Sequence, residues 1–339
     1  MRFCEREEGE GPLIQTVLGH VNPHDLGICH SHEHLFLAKG HPHKVHPDLW
    51  MDDYARTVQE LTEFRNAGGM AVVDAQPLGC GRMERELVNA SLDTGVHVIA
   101  STGFHKLAFY PDDHWIRSLN EERLAELFAD ELIHGMRAGT DRDHPFGEQV
   151  QQLDARAGLI KTAVDAERMA DSDKRWFLAA AAAAVETGAS LMCHTEGPEQ
   201  ALWLSDLYEK AGVPPQKLIM CHLDRVLTKP EVSRELARRG IYLEYDTIGR
   251  FKYHDDESEA RWIVSMLEHG LEDRLLLGLD TTRTRMKAYG GEIGLTYLHD
   301  QFLPLLLAMG AGKENIRKMM VDNPAQAFAV GLQGRRGLA

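Results

Sequence analysis

Short apolar runs alternate with helix-like segments along almost the whole of this 339-residue chain, and this alternation most constrains its fold. The eight runs typical of strands are residues 27–31, 70–74, 96–101, 158–162, 190–194, 218–222, 241–245 and 275–280. Strands that alternate with helices predict βαβ units and a parallel sheet, and eight repeats favour closure into a barrel. We therefore predict an α/β fold, a (β/α)8 TIM barrel preceded by a short β-hairpin within residues 14–21.

Glycine and proline mark the boundaries of the predicted helices. We predict helices over residues 54–67, 121–138, 173–187 and 230–239, and each of these is followed by a glycine. The last of them begins at Pro230, in agreement with the preference for proline at a helix start and glycine past its end. A final helix over residues 313–320 is expected to stop before Pro324. Because no linker-like composition divides the chain, we expect one domain over residues 1–339.

The charge balance limits the partners of the protein. A formal net charge of −15 argues against a nucleic-acid surface, because phosphate binding needs clustered lysine and arginine. The longest apolar stretches are too short to cross a membrane, and the acidic N-terminus lacks the apolar region of a signal peptide. We therefore expect a cytoplasmic protein with no nucleic-acid or membrane partner.

The five cysteines are scattered and form no CxxC pair, which predicts reduced thiols and not a disulfide framework. Cys29, Cys193 and Cys221 lie close to histidines that are candidate metal ligands. They could be soft metal ligands or core residues. Side chains alternate along a strand, so the immediate neighbour of a ligand should point away from the site, which favours core packing.

The strongest local motif is His32-Glu33-His34, at the end of the first predicted strand. Residues i and i+2 of a strand point to the same side, so the two imidazoles can bind one metal ion while Glu33 faces the other way. The chain has 18 histidines, and His41 and His43 form a second such pair in a loop that contains proline. The motif alone therefore also fits a chance pairing.

Four more candidate ligands lie at the C-terminal ends of later strands, where barrel enzymes place their catalytic groups. They are Lys161, His194, His222 and Asp280. Four histidines, one carboxylate and one lysine at one barrel mouth suit two ions of Zn, Mn, Co or Fe. The structural alternatives are that Lys161 pairs with a carboxylate such as Asp74, and that Asp280 caps the following helix.

With these residues in this order, the chain resembles the phosphotriesterase-related branch of the amidohydrolase superfamily. The resemblance extends from TVLGHVNPHDLGICHSHEHL to NPAQAF and so covers nearly the whole chain. It implies a binuclear centre whose more buried cation is held by His32, His34 and Asp280, and whose more exposed cation is held by His194 and His222. It also implies that Lys161 bridges both cations as a carbamate formed with CO2. The chemistry agrees, because an ammonium cannot bind a metal whereas a carbamate offers two oxygens.

The resemblance implies hydrolysis by a hydroxide that bridges the two cations, with Asp280 as both ligand and proton shuttle. We predict a lactone substrate, specifically a sugar lactone that carries phosphate or carboxylate. The alternative is phosphotriester hydrolysis, because the same hydroxide can attack phosphorus. A non-catalytic metal-binding barrel is a second alternative. A mononuclear barrel similar to adenosine deaminase would have no use for Lys161.

Basic residues are concentrated in the loops after strands six to eight, and arginine is well suited to bind phosphate or carboxylate. The candidates for substrate binding are Arg225, Arg250, Lys252 and Arg283, with Arg285 and Lys287 nearby in sequence. In family members similar to phosphorylated-sugar lactonases, residues at the positions of Lys252 and Arg283 bind the phosphate. Met286 replaces an expected aromatic residue. The alternative is that these are solvated loop charges or salt bridges to Asp255 and Asp256.

The loop after the third strand provides one more candidate, His105. Lactonases that resemble the quorum-quenching branch carry a tyrosine near this strand end, where this chain has Phe104 and His105. This difference counts against an acyl-homoserine-lactone substrate. The resemblance also suggests a homodimer.

Overall fold

The computed structural model describes residues 11–164 and 173–330 of the chain. Eight parallel strands form one sheet that closes almost completely into a barrel, and helices cover its outside. The described strands are β1 (Leu13–Thr16), β2 (Gly19–Val21), β3 (Cys29–Glu33), β4 (Ala71–Asp74), β5 (His97–Gly103), β6 (Arg137–Ala138), β7 (Gln151–Gln152), β8 (Leu159–Ala163), β9 (Ser190–His194), β10 (Leu218–Cys221), β11 (Tyr242–Tyr245), β12 (Leu275–Leu277) and β13 (Ala329–Val330).

The helices lie between consecutive barrel strands and follow β12. The described α-helices are α1 (His41–Val45), α2 (Tyr54–Asn66), α3 (Glu84–Thr94), α4 (Trp115–Ser118), α5 (Glu121–Ile133), α6 (Lys174–Thr187), α7 (Pro198–Lys210), α8 (Pro230–Arg239), α9 (Asp256–Glu268), α10 (Leu303–Ala308), α11 (Lys313–Arg317) and α12 (Asn323–Ala327). None of the helices in the described ranges is both long and apolar enough to cross a bilayer.

The predicted (β/α)8 barrel is confirmed. Its strands follow one another in the order β3-β4-β5-β8-β9-β10-β11-β12. Two strands are shorter than predicted at the end where the candidate ligands lie. β10 stops before His222 and β12 stops before Asp280, and these two residues adopt φ values of 62° and 46°, which are incompatible with a strand.

The first and last barrel strands meet at a seam of backbone and side-chain hydrogen bonds. The amide of Asp280 donates to the carbonyl oxygen of His32 at 2.9 Å, and Oγ of Ser31 donates to the carbonyl oxygen of Leu277 at 2.8 Å. Gly278 allows this close approach, because a Cβ atom at this position would lie 2.9 Å from the backbone nitrogen and oxygen of His32. The seam brings the end of β12 against β3.

A three-stranded antiparallel sheet belongs to the opposite, N-terminal end of the barrel. The predicted hairpin is confirmed as β1 and β2, and β1 also pairs with β13, so that Leu13 lies opposite Val330. Ile14 and Phe328 belong to the apolar cluster inside the barrel. The pairing with β13 was not predicted, because it joins residues more than three hundred positions apart.

Two predicted helix ends are wrong. The predicted helix over residues 121–138 ends at Ile133, because Gly135 leaves the helix with a φ of 140° and residues 137–138 pair with β7 instead. The final helix does not stop before Pro324. It continues from α11 through a wider turn into α12. Pro324 lies in the first turn of α12, where the missing amide hydrogen of proline is tolerated.

The cysteines of the described ranges are buried free thiols, as predicted. Cys193 packs between the barrel and the helices, whereas Cys29 and Cys221 belong to the apolar cluster inside the barrel. Cys4 lies outside the described residues. The inward position of Cys221 differs from the prediction.

We predict that Gly278→Ala destabilises the protein by about 1–3 kcal/mol, because the added methyl group overlaps the backbone of His32 at the seam. Urea unfolding followed by circular dichroism measures the change. Gly40→Ala is the matched control, since its nearest neighbouring atom would lie 3.7 Å away, and we expect a change of less than about 0.5 kcal/mol. Equal effects of the two substitutions would contradict this account of the seam.

Candidate metal centre

The structure brings all six predicted ligands to the C-terminal end of the barrel, and all six are buried. They are His32 and His34 at the end of β3, Lys161 in β8, His194 at the end of β9, His222 directly after β10 and Asp280 shortly after β12. Parallel strands present their carboxyl ends at one rim, so residues far apart in sequence meet there.

One half of the cluster contains His32, His34, Lys161 and Asp280. Oδ1 of Asp280 lies 3.4 Å from Nε2 of His34 and 3.8 Å from Nε2 of His32. Nζ of Lys161 lies 3.1 Å from the same Nε2 of His32. The two histidines and Asp280 can each direct one donor atom to a common point, and these atoms lie within 4.8 Å of one another.

The other half of the cluster contains His194 and His222. Nδ1 of His194 and Nε2 of His222 are 2.7 Å apart. The ring of His222 also lies beside that of His32, with 5.0 Å between the ring centroids. The two halves are therefore adjacent, in the arrangement predicted for two neighbouring cations.

His222 and Asp280 are the only non-glycine residues with positive φ in residues 11–164 and 173–330. Such a backbone conformation is costly for a residue with a Cβ atom and often occurs at functional sites. It also breaks side-chain alternation. Cys221 points into the barrel as the last strand residue, and His222 turns inward after it. The predicted outward direction of Cys221 is therefore wrong, and its Sγ lies 4.0 Å from Nζ of Lys161.

Glu33 faces away from the ligand cluster, as predicted, and has a structural role there. Its Oε1 lies 2.9 Å from Nδ1 of His30 and accepts the amide hydrogen of Leu279 at 3.0 Å. Its Oε2 accepts the amide hydrogen of Thr281 at 3.1 Å. Glu33 therefore fixes the segment that carries Asp280 against the strand that carries His32.

Two acidic residues at the end of β11 contact the histidine ligands and were missed in the sequence. Nδ1 of His32 lies 2.9 Å from Oε2 of Glu244 and 2.8 Å from Oδ2 of Asp246. Oδ1 of Asp246 lies 2.6 Å from Nδ1 of His222. Asp246 thus contacts one ligand from each half. Its spacing from Glu244 is the same i, i+2 pattern as in the His32 motif, so this signal was present in the sequence.

Glu196 contacts His194 in the way that Glu244 and Asp246 contact the other histidines, and this contact was not predicted from the sequence. Its Oε1 lies 2.8 Å from Nε2 of His194 and forms an ion pair with Lys106. Its Oε2 accepts a hydrogen bond from Arg225 at 2.9 Å. Glu196 therefore connects a candidate metal ligand with a candidate substrate-binding arginine.

These contacts determine which histidine nitrogens face the centre of the cluster. A nitrogen beside a carboxylate carries the proton, so the opposite nitrogen has a free lone pair. The free lone pairs are on Nε2 of His32, Nδ1 of His194 and Nε2 of His222. Two of them face each other at 2.7 Å, which is unfavourable unless a cation lies between or beside them.

Burial lowers the pKa of each of these three histidines, so their neutral form is favoured. For His32 the next cause is the charge of Lys161, and for His222 it is the charge of Arg225. Metal ions bind neutral imidazole and not imidazolium. The protonation state and the direction of the lone pairs therefore both fit metal binding.

Lys161 also fits the predicted bridge. Its side chain is completely buried, and in the described part of the chain no carboxylate lies within ion-pair distance of its Nζ. The alternative pairing with Asp74 is wrong, because the carboxylate of Asp74 accepts the amide hydrogens of Leu35 and Gln76 at 2.8 and 3.0 Å. A buried ammonium without a counter-ion is costly, whereas a carbamate between two cations would be compensated.

Asp280 is surrounded by positive charge. Its Oδ2 lies 2.9 Å from Nη2 of Arg250 and 3.8 Å from Nη2 of Arg225. Burial by itself would raise the pKa of Asp280, but the charge of Arg250 and a hydrogen bond with His34 hold it well below the ordinary value. The alternative role of Asp280 as a helix cap is not observed, since no α-helix follows within the next twenty residues.

Three of the five predicted substrate-binding residues, His105, Arg225 and Arg250, lie beside this cluster. His105 lies between His34 and His194, at ring-centroid distances of 6.4 and 5.7 Å. Burial and then the charge of His194 lower its pKa well below the ordinary value. Together with Arg225 and Arg250, which contact Asp280, His105 therefore lies at the metal centre itself.

The other two predicted residues, Lys252 and Arg283, contact aromatic rings. Nζ of Lys252 lies 4.8 Å from the centre of the Tyr253 ring. The guanidinium of Arg283 lies 4.4 Å from the centre of the Trp50 ring and donates to the carbonyl oxygen of Trp50 at 3.1 Å. Neither forms an ion pair with Asp255 or Asp256 in the described ranges, so the salt bridges considered as an alternative are not observed.

The sequence profile of the Phosphotriesterase family matches residues 12–328. This chain belongs to that family. The match covers every residue of the ligand cluster and confirms the resemblance found in the sequence.

Relatives within the Phosphotriesterase family differ in the activity that their names state. The chain is 30% identical to a phospho-furanose lactonase of Mycoplasmopsis synoviae, over 94% of this chain and 92% of the relative. It is 27% identical to an N-acetyltaurine hydrolase of Tetraodon nigroviridis, over 92% of this chain and 97% of the relative. The crystal structure of a lactonase from Listeria monocytogenes superimposes with a TM-score of 0.84 at 25% identity and covers 93% of this chain and 98% of that chain.

We predict that Asp246→Asn weakens metal binding about 10- to 100-fold, because a single carboxylate orients a histidine in each half of the centre. Competition with a chelator of known affinity measures the change. Asp143→Asn, in an exposed loop, is the control and should leave the affinity unchanged. An unaltered affinity in a folded Asp246→Asn protein would show that this carboxylate does not orient the ligands.

Proposed function

We propose that this protein is a metal-dependent hydrolase that opens a lactone bearing a negatively charged group, such as the phosphate of a sugar lactone. One observation carries the proposal: Arg225 and Arg250 lie beside Asp280 within the same cluster that presents the histidine lone pairs. A substrate whose carbonyl reaches the ligand cluster can therefore place an anionic group against guanidinium groups. The similarity to a phospho-furanose lactonase supports this substrate class.

Two divalent cations, Zn or else Mn, Co or Fe, fit the donor set. His32, His34 and Asp280 would hold one, His194 and His222 would hold the other, and Lys161 would bridge them as its carbamate. When bound, such cations lower the pKa of a shared water and polarise the carbonyl oxygen of the substrate.

Asp280 is positioned to move the proton of the reaction. In lactone opening, the oxygen of water forms a bond to the carbonyl carbon, the bond to the ring oxygen breaks, and this oxygen needs a proton. Oδ1 or Oδ2 of Asp280 can accept the proton of the water and donate it to the ring oxygen, which is a general acid–base role. Because Arg250 holds Oδ2 at 2.9 Å, Oδ1, at 3.4 Å from His34, is the oxygen that faces the ligand histidines.

Phosphotriester hydrolysis is the second candidate, since the same centre could attack phosphorus. A triester has no net charge, so it would gain no charge–charge attraction from the guanidinium groups around Asp280. One relative is an N-acetyltaurine hydrolase, so N-acetyltaurine, an amide that carries a negative charge, should also be tested as a substrate.

A screen of metal-loaded protein tests the proposed function. We expect the highest kcat/KM for lactones with a phosphate or carboxylate substituent, lower values for neutral lactones, and little hydrolysis of paraoxon. Asp280→Asn is the control, and its activity should fall by at least about 10²-fold. If the protein hydrolysed paraoxon or N-acetyltaurine and none of the lactones, the proposed substrate class would be rejected.

We predict that Lys161→Ala loses both bound metal and activity, because the bridging group is removed. A small carboxylic acid, which can supply two oxygens in place of the carbamate, should restore part of both. Metal analysis and lactone hydrolysis with and without the acid provide the readouts. Full metal content and an unchanged rate in the substituted protein would exclude the carbamate bridge.

The buried free thiols support the proposal of a cytoplasmic location, because reduced cysteines are usual there. We further propose that the protein is a homodimer without nucleic-acid or membrane partners. Light scattering of the purified protein tests the oligomeric state.

A further inference from the structure

Arg285 is a buried arginine close to the metal centre that none of the roles above uses. It lies on the same loop as Asp280, five positions later, and its side chain is almost completely buried. Its Nη2 donates to the carbonyl oxygen of Ile248 at 2.6 Å. Within residues 11–164 and 173–330, its Nε and Nη1 have no hydrogen-bond partner.

Among the residues that the structure describes, no carboxylate forms an ion pair with Arg285. The acidic groups whose charges act on it are Asp280, Glu33 and Asp246. Each of them is already engaged, because Arg250 contacts Asp280, backbone amides occupy Glu33, and histidine nitrogens contact Asp246. A buried cation without a partner is costly, so some other group is expected to compensate for its charge.

Arg285 and Arg250 both form hydrogen bonds with the turn of residues 247–250. The carbonyl to which Arg285 donates belongs to Ile248, and the amide of Arg250 is bound in the same turn, to the carbonyl oxygen of Thr247 at 2.8 Å. The charge of Arg285 acts on this turn from the loop after β12, so the two guanidinium groups repel each other. Arg250 in turn extends to the carboxylate of Asp280, at 2.9 Å from its Oδ2.

Among the described residues, the three guanidinium groups around Asp280 outnumber the carboxylates that form ion pairs with them. Arg250 pairs with Asp280, and Arg225 contacts Asp280 and Glu196, but Glu196 also pairs with Lys106. Asp280 would in addition hold a cation when the centre is loaded. A negative group on the substrate, close to the reacting carbonyl, would restore the balance.

We propose that Arg285 is a positioning residue that determines specificity: acting through Arg250, it makes the site select lactones that carry an anionic group near the scissile ester. The inference rests on the proposed lactonase function and assigns this selectivity to a residue that does not itself need to touch the substrate. An apolar or neutral lactone gains nothing from this charge.

Two lactones with the same ring, one neutral and one with a phosphate substituent, test this role on the metal-loaded protein. In Arg285→Gln we expect KM for the phosphorylated lactone to rise about tenfold, since one nearby charge is lost, with little change in kcat. kcat/KM for the neutral lactone should stay within about twofold of the original value. Arg285→Lys, which keeps the charge, should retain most of the preference.

Arg238→Gln, which removes an exposed arginine of α8, is the matched control and should leave both substrates unaffected. If Arg285→Gln does not fold, Arg285→Met replaces it, because methionine keeps an unbranched apolar stem. If Arg285→Gln lowered kcat/KM equally for the two lactones, Arg285 would only support the fold and the inference would be overturned. An equal loss of kcat/KM for the phosphorylated lactone in Arg285→Gln and Arg285→Lys would overturn it as well.

Inorganic phosphate as a ligand separates this inference from the proposed function. Calorimetric titration of metal-loaded protein should give about tenfold weaker phosphate binding in Arg285→Gln than in the unsubstituted protein. If no lactone is hydrolysed, the proposed function fails, but the phosphate titration still tests Arg285. Identical phosphate affinities in the two proteins would reject the role of Arg285 in binding anions.

Discussion

The contact between the first and last barrel strands is the constraint on which the site depends. Glu33 accepts the amide hydrogens of Leu279 and Thr281, which lie on either side of Asp280. Glu33 is 246 positions from Leu279 and 248 positions from Thr281 in the chain. Hydrogen bonds from amides to a buried carboxylate are strong, because the acceptor is charged and water does not compete. Together with the bond from the amide of Asp280 to the carbonyl oxygen of His32, they hold the segment that carries Asp280 beside His32 and His34. The centre therefore exists only when the barrel is closed.

The fold and the meeting of the six candidate ligands at one rim could be predicted because they follow from regular geometry. Apolar runs that alternate with helices imply parallel strands, and the carboxyl ends of parallel strands lie at one rim. His194 and His222 could thus be placed beside His32 without any knowledge of their contacts. The direction of Cys221 could not be predicted, since alternation assumes an extended backbone and His222 is left-handed. The end of α5 likewise depended on a tertiary pairing of residues 137–138 that the local helical pattern does not contain.

The candidate metal centre separates its charges into two groups. Glu244, Asp246 and Glu196 contact the outer nitrogens of the histidines, while guanidinium groups lie beside Asp280. The net charge of −15 belongs to the whole chain and does not describe this local field. An acidic protein can in this way attract an anion at one point.

The pairing of β1 with β13 has a consequence for biosynthesis. Leu13 emerges early from the ribosome, whereas its partner Val330 follows only after all eight barrel strands have been made. Until then, one edge of β1 lacks a neighbour and the apolar residues under the barrel, Ile14 among them, lack the cover of Phe328. A nascent chain of this protein therefore passes through a long interval with an unpaired strand edge. Such an interval is the period in which chaperones protect a chain from aggregation.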